Sequence, residues 1–280
     1  MSITPPEDTA SSGAEGKGGI AGRRLLFRVV RVLILVYCGS AALAFFVAEA
    51  LIFQPPPATY TEKDGIFSIP VGSNDRLAAL YLPNPSAALT LLYSHGNGED
   101  IGAIRNVLQE LRDHGFAVLA YDYRGYGLST GKPSEKNAFA DIEAAYGYLV
   151  ASLGVDPSDI LVYGTSLGGG PSTYLAAHRR VGGLVLESTF VSAFRVRTVV
   201  PIFPFDRFPN LKHMSQIRCP VLVLHSRDDP VIPFWHGKKL FDAAKEPKFH
   251  YWADNAGHLG IPWSGGAYWR SLKKISSAVR

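Results

Sequence analysis

Cysteine is nearly absent from this chain of 280 residues: Cys38 lies inside a long apolar stretch and Cys219 just before Pro220. Two cysteines in such different surroundings argue against a disulfide framework, and neither has a partner at metal-ligand spacing. Both are expected to be buried as small hydrophobes. Beyond the N-terminal arginines no basic run is interleaved with aromatics, so the net charge of +4 does not describe a nucleic-acid surface. No internal repeat is present, and the triple glycine at 168–170 lacks the lysine that a phosphate-cradling loop requires. Large apolar residues are almost missing from residues 1–22, which are rich in Gly, Ser, Ala, Pro and Glu. A segment of that composition cannot offset its ordering entropy by burial, and disorder is expected there.

Charge, in turn, is absent from Val32 to Ala48, and Glu49 is followed by four more apolar residues. At about 1.5 Å per residue, Val32 to Phe53 just spans a hydrocarbon core of roughly 30 Å. The segment is apolar on every face, which argues against an amphipathic core helix and for a membrane anchor over 23–53. "ALA" at 42–44 and "AEA" at 48–50 offer small residues to a signal peptidase. The long preceding region and an apolar run exceeding the usual 7–15 residues or so favour an uncleaved anchor. Lipid attachment at Cys38 is disfavoured by the bulky Tyr37 before it. Arg23, Arg24, Arg28 and Arg31 precede the apolar run and nothing comparable comes after it before Lys63. The positive-inside rule then places the N-terminus in the cytoplasm and the rest of the chain across the membrane.

With 47% hydrophobic residues, the chain beyond the Pro55-Pro56-Pro57 break is long enough for one large core, and one domain is expected over 58–280. "IFSIPV" (66–71) and "RLAALYLP" (76–83) read as an antiparallel pair around turn residues. Near-continuous apolar runs come next at 89–94, 116–122, 159–164, 182–188, 220–226 and 248–253, as in a sheet covered on both faces. Ile101, Ile104, Leu108 and Leu111 recur at helical spacing, as do Ala138, Ile142, Ala145 and Leu149, with Ser134 as N-cap of the second set. The alternation predicts an α/β fold, a doubly wound and mostly parallel sheet of about eight strands.

Sites in open α/β sheets form beyond the carboxyl ends of the strands, and three ends carry chemistry. Gly164-Thr165-Ser166-Leu167-Gly168 falls between a strand and a helical stretch, where the two glycines allow a sharp turn that exposes a strained serine. The next helix aims its N-terminal N–H groups at the same point. "LHSRDDPVIP" (224–233) offers Asp228 or Asp229 to orient a histidine, and "ADNAGHLG" (253–260) supplies His258. The order Ser, Asp, His along the chain is the one this kind of sheet uses.

"SHGNGEDIG" (94–102), "YDYRGYGLSTGKPSE" (121–135), "YGTSLGGG" (163–170) and "HSRDDPVIP" (225–233), with a weaker match at "FDRFPN" (205–210), resemble the α/β-hydrolase superfamily across 58–280. Within it the chain is most similar to a compact membrane-associated branch, grouped with serine aminopeptidase-like hydrolases and with animal α/β-hydrolase-domain proteins that remove palmitate from proteins. The resemblance implies a triad of Ser166, Asp229 and His258. Asp229 is preferred over Asp228 because the family's acid lies four residues after the strand-end histidine, here His225. Ser226 stands where the family usually has Gly, a departure expected to matter little. The resemblance also implies an oxyanion hole from the backbone N–H groups of Asn97 and Leu167. His95 is expected to brace the oxyanion loop, and Arg124 and Tyr126 to shape theirs. A short Pro-rich cap is expected at 190–217, with Arg195, Arg197, Arg207 and Lys212 interspersed. Its mixture suits either an acyl chain with an anionic or carbonyl-rich head, or an ordinary amphipathic cover.

The expectation is therefore a membrane-anchored serine hydrolase cleaving an ester, thioester or amide, small acyl esters and thioesters first, through an acyl-enzyme, with no cofactor, metal or nucleic acid. A serine aminopeptidase-like peptidase and a catalytically silent membrane scaffold are the alternatives. The retention of Ser166, Asp229 and His258 argues against the silent one.

Overall fold

In the computed structural model of the chain, residues 15–279 are described, with side chains from residue 23 onward. The chain divides into two compact units at the Ala48–Glu49 boundary. The first is the body of helix α1 (Glu15–Ile52), whose last turn belongs to the second unit. Residues 15–22, expected to lack structure, are helical, while 1–14 lie outside the described residues. Extending an existing helix gains one hydrogen bond per residue fixed and avoids the cost of a new nucleus. From Arg23 to Ile52 the helix is long and apolar enough to cross a membrane. Its large side chains, Leu33, Leu35 and Phe46 among them, are exposed. Cys38 is exposed on this helix and Cys219 is half-buried, so neither is the buried hydrophobe expected; helix α1 offers no protein core at position 38.

The second unit is built on β1 (Ile66–Val71), β2 (Asp75–Leu82), β3 (Thr90–Ser94), α2 (Arg105–Asp113), β4 (Ala117–Tyr121), α3 (Glu135–Ala151), β5 (Ile160–Thr165) and α4 (Gly169–His178). It continues through β6 (Gly183–Glu187), α5 (Asn210–Met214), β7 (Val221–Ser226), α6 (Trp235–Ala243), β8 (Lys248–Ala253) and α7 (Gly266–Ala278). The eight strands form one sheet in the order β1-β2-β4-β3-β5-β6-β7-β8. β2 pairs antiparallel with β1 and β4, and every other pairing is parallel.

Strands β3 to β7 are buried along their whole length, which is why they read as unbroken apolar runs. Successive side chains alternate between two cores, as a period of two requires. Leu92, Leu119 and Val162 face Ile142, Leu175 and Leu240 on one side of the sheet. Leu91, Val118 and Leu161 face Leu108, Leu111, Leu272 and Ile275 on the other. Truncating any of these buried leucines or isoleucines to Ala should cost roughly 2–5 kcal/mol. Helix α3 begins where expected: the Ser134 hydroxyl accepts the Asn137 N–H at 3.1 Å. Helix α2 starts later than its apolar spacing suggests. Ile101 and Ile104 are buried from a turn before it, held by Asp122 Oδ1 accepting the Ile101 N–H at 2.9 Å.

Chain order departs from β3 in both directions, to β4 on one side and β5 on the other. The connections from these strands pass to opposite faces, α2 to one core and α4 to the other. A crevice opens between their carboxyl ends.

Beneath that crevice lies a carboxyl group with no cation paired to it among the described residues. Glu187 is 1% exposed at the end of β6, opposite Thr165 in the register. Tyr163 donates a short hydrogen bond to it and meets Tyr268 hydroxyl to hydroxyl at 3.1 Å. Burial pushes the Glu187 carboxyl up to about 8. Its ordinary value is 4.5, so its contribution to stability is fully present below about 4.5 and is lost as pH rises to about 8. Glu187→Gln removes that titration. Thermal melts at pH 5 and pH 8 should show the melting temperature of the variant rising relative to wild type by several degrees, at about 2–4 °C per kcal/mol. A difference that is the same at both values would show that Glu187 does not titrate in this range.

Candidate active site

The turn after β5 is made possible by two glycines. A Cβ on Gly168 would stand 2.0 Å from the Ser94 carbonyl oxygen, and one on Gly164 would stand 2.4 Å from the Gly168 carbonyl oxygen. Neither distance admits a side chain. Between them Ser166 is forced to φ 51°, a left-handed conformation that costs a non-glycine residue on the order of 1–3 kcal/mol. Thr189, on the loop after β6, donates its hydroxyl to the Ser166 carbonyl at 2.7 Å and holds the turn. The strain lifts the serine hydroxyl to the crevice, and Ser166 itself begins the short helical turn, Ser166–Gly168, that runs into α4.

His258, on the loop after β8, meets Ser166 there. Its Nε2 is 2.9 Å from Ser166 Oγ, and its Nδ1 is 2.8 Å from Asp229 Oδ2. A carboxylate only accepts, so Nδ1 carries the proton and Nε2 is left to accept from the serine. The other oxygen of Asp229 accepts the N–H groups of Val231 and Ile232 at 2.8 and 2.9 Å, which fixes the carboxylate with one oxygen aimed at His258. Asp229 is buried. Asp228 is exposed and turns away to Ser226 and to the Gly257 N–H. The structure thus brings together Ser166, His258 and Asp229, each from a different strand end.

Two other histidines lie nearby. His225 donates from Nε2 to the Ile232 carbonyl at 2.9 Å and steadies the turn that carries Asp229. Burial holds its pKa below the ordinary value, and burial drives that of His236 down to about 4. Both stay neutral, and neither reaches the serine.

The loop after β3 completes the crevice, with Gly96 against Ser166: a Cβ on it would lie 3.5 Å from the serine Cβ. The Gly96 N–H is taken by Glu99 at 2.9 Å and its carbonyl by His95 Nδ1 at 2.8 Å. The next N–H, that of Asn97, has no acceptor among the described residues. His95 is fully buried, its ring 4.4 Å from that of Tyr123, and its Nε2 lies 3.3 Å from Asp122. Burial lowers its pKa, but Asp122 and the Gly96 carbonyl outweigh this and raise it overall. It sits where a brace for the loop should be. Arg124 is equally committed to structure, donating from Nε to Asp141 at 2.6 Å and from a terminal nitrogen to the Asn137 carbonyl at 3.1 Å.

Three contributions escape a reading by motif. Ser226, expected to matter little, accepts the Ala256 N–H at 3.3 Å and donates to Asp228, tying the acid turn to the histidine loop. A glycine there could do neither. Thr189 has no motif at all. Tyr126, expected only to shape its loop, donates to the Asn97 side chain at 2.6 Å.

After β6, the segment 190–217 closes on itself through Asp206, which accepts from the Ser192 hydroxyl at 2.6 Å and the Phe194 N–H at 2.8 Å. Val199 and Val200 of this segment are exposed. Among the described residues no group of three or more His, Cys, Asp or Glu is placed to hold a metal ion.

A strained serine elbow at the switch point of a doubly wound sheet marks the α/β-hydrolase class. Residues 85–204 match the family described as serine aminopeptidase, S33. The human α/β hydrolase domain-containing protein 17B is 35% identical over 262 residues, 82% of this chain and 91% of that protein. The Caenorhabditis elegans α/β hydrolase domain-containing protein aho-3 is 41% identical over 205 residues, 71% of this chain and 61% of that protein. In fold, the chain is similar to an esterase of Pyrococcus furiosus, with a TM-score of 0.66 at 19% identity over 80% of this chain and 99% of the esterase. The chain belongs to the α/β-hydrolase superfamily, and it is an enzyme of that class.

The geometry separates the two neighbouring acids. In an ester-hydrolysis assay Asp229→Asn should lower kcat by orders of magnitude, about 10⁴-fold in the serine-protease precedent, because the amide favours the wrong histidine tautomer. Asp228→Asn, which only loosens a turn, should stay within about tenfold of wild type. Reversed effects would assign the acid to Asp228.

Proposed function

We propose that the protein is a membrane-anchored serine hydrolase that cleaves an ester or thioester by acyl transfer. The observation that carries this reading is the unbroken hydrogen-bonded chain from Ser166 through His258 to Asp229 beneath a strained elbow. Ser166 Oγ attacks the carbonyl carbon of the substrate as His258 Nε2 takes its proton, and Asp229 stabilises the imidazolium that results. The carbonyl oxygen gains negative charge and is met by the N–H groups of Asn97 and Leu167, the latter reinforced by the helix N-terminus behind it. As the tetrahedral intermediate collapses, His258 returns the proton to the leaving alcohol or thiol and an acyl-enzyme is left on Ser166. Water, deprotonated by His258, then releases the acid by the same steps in reverse. Nucleophile, base and electrostatic stabiliser all come from side chains and backbone, so the scheme calls for no cofactor.

A peptidase reading is favoured by one observation, the match of residues 85–204 to the serine aminopeptidase family. It uses the same groups on an amide. A silent scaffold is disfavoured, since nothing in a scaffold requires the serine, histidine and acid to keep hydrogen-bonding geometry.

Ser166→Ala should abolish labelling by a fluorophosphonate probe and hydrolysis of p-nitrophenyl esters, acyl-thioesters and aminoacyl amides alike, with the melting temperature preserved. The member of that panel with the highest kcat/KM in wild type assigns the substrate class. Residual turnover within tenfold of wild type in the alanine variant would sink the assignment of Ser166.

The orientation of the site rests on the four arginines before the apolar helix, which favour a cytoplasmic N-terminus and a hydrolase domain on the opposite side. Small esters, lipids or peptides are then favoured over cytosolic acyl-proteins as substrates. A reporter active on only one side of the membrane, fused after Arg280, should be active on the non-cytoplasmic side. Activity in the cytoplasm refutes the orientation and restores acyl-proteins.

A further inference from the structure

Asn97 bears an N–H assigned to the oxyanion, yet its side chain is fixed by nothing within its own loop. It is fixed by the segment just beyond the apolar helix. The Asn97 side-chain oxygen accepts the backbone N–H of Gln54 at 2.9 Å and the Tyr126 hydroxyl at 2.6 Å. The same Gln54 N–H lies 3.0 Å from the Tyr126 oxygen, so the three groups close a ring of hydrogen bonds. Tyr126 is fully buried, and burial holds its phenol above the ordinary pKa, which keeps it a donor.

Packing holds the segment in place on either side of Gln54. Phe53 is 4% exposed, with its ring 6.5 Å from Tyr126 and 5.9 Å from Phe208, both edge-on. Glu49 accepts the Glu135 N–H at 3.3 Å. Further along, Thr59 donates its N–H to Asp100 at 2.6 Å, and Tyr60 donates to Asp122, the acid that also holds Ile101 and faces His95. Residues 53–60 are thus a strap laid along the loop 95–101 and bonded to it at Asn97, at Asp100 and, through Asp122, at Ile101.

We propose that this strap positions the oxyanion donor, with the Gln54 backbone N–H and the Tyr126 hydroxyl as the positioning groups that set the Asn97 N–H. The proposal rests on the serine-hydrolase reading. Loss of an oxyanion donor costs about 10²–10³-fold in kcat, and a misplacement of about 1 Å up to about 10²-fold. Releasing Asn97 should therefore cost between about 10- and 100-fold.

The test uses the full chain in detergent micelles, with kcat expressed per serine titrated by fluorophosphonate. Tyr126→Phe keeps the packed ring and removes the donor. Its kcat on a p-nitrophenyl ester should fall about 10- to 100-fold with KM changed less than about threefold. Affinity for an aryl trifluoromethyl ketone, which forms the oxyanion on the enzyme, should fall by the same factor as kcat/KM. Asn97→Ala, which keeps the backbone N–H but removes the acceptor, should show a similar loss. The double variant should lose no more than the larger single loss, since both substitutions break one arrangement. A Tyr126→Phe enzyme within twofold of wild type per titrated site, or losses that multiply in the double variant, would overturn the positioning role. Those outcomes with an inactive Ser166→Ala reject only the strap, whereas an active Ser166→Ala rejects the serine mechanism beneath it.

Discussion

The turn after β5 touches the end of β3 backbone to backbone, with the Cα of Gly168 against the Ser94 carbonyl where a side chain would stand at 2.0 Å. That approach fixes the separation of the two central strands' carboxyl ends, and with it everything in the crevice. It forces Ser166 to a positive φ, brings Gly96 alongside the serine, and sets the Asn97 and Leu167 N–H groups on the two loops that flank it. His258 and Asp229 arrive from β8 and β7, and their distances to one another and to Ser166 are ordinary hydrogen bonds. Of these three side chains only that of Ser166 stands on a residue with a positive φ. The Thr189 hydrogen bond to the Ser166 carbonyl helps hold it there.

Polar groups beneath the elbow make the support stiff rather than merely dense. Tyr93 and Tyr163 stack at 5.0 Å, Tyr93 reaches the Thr165 hydroxyl at 2.9 Å, and Tyr163 reaches Glu187 and Tyr268. Each of these hydroxyls has a partner in a region without water-exposed surface, and an orphaned one there would cost about 1–3 kcal/mol. Such a network tolerates one geometry, which suits a floor under a serine that must not shift.

Much of this is legible in the amino-acid order, and the reasons are physical. Strands covered on both faces must be continuously apolar, so β3 to β7 announce themselves. The elbow is legible because its two glycines have a steric duty that no other residue meets. Helix α2 is misplaced by its own apolar spacing, since Ile101 and Ile104 reach the same core from a turn that Asp100 and Asp122 hold by hydrogen bonds. Ser226 is overlooked because its work is to bridge two loops distant in sequence. The Gln54 contact is hidden for a different reason: it uses a backbone N–H, which every residue but proline has. The signal that could have found it is in "QPPPA", where Gln54 is the last donor before three residues that have none.

The strap also moves the natural boundary of the globular part. A division at the triple proline, which the composition invites, would leave Asn97 without the Gln54 N–H and would uncover Tyr126 and Phe208, on which Phe53 packs. The compact unit begins at Glu49, before the apolar helix has ended. A soluble fragment intended for crystallisation or inhibitor screening should therefore retain that final helical turn, with Leu51, exposed in the whole chain, exchanged for a polar residue. Purification without detergent then becomes a question of one exposed turn rather than of the whole apolar helix.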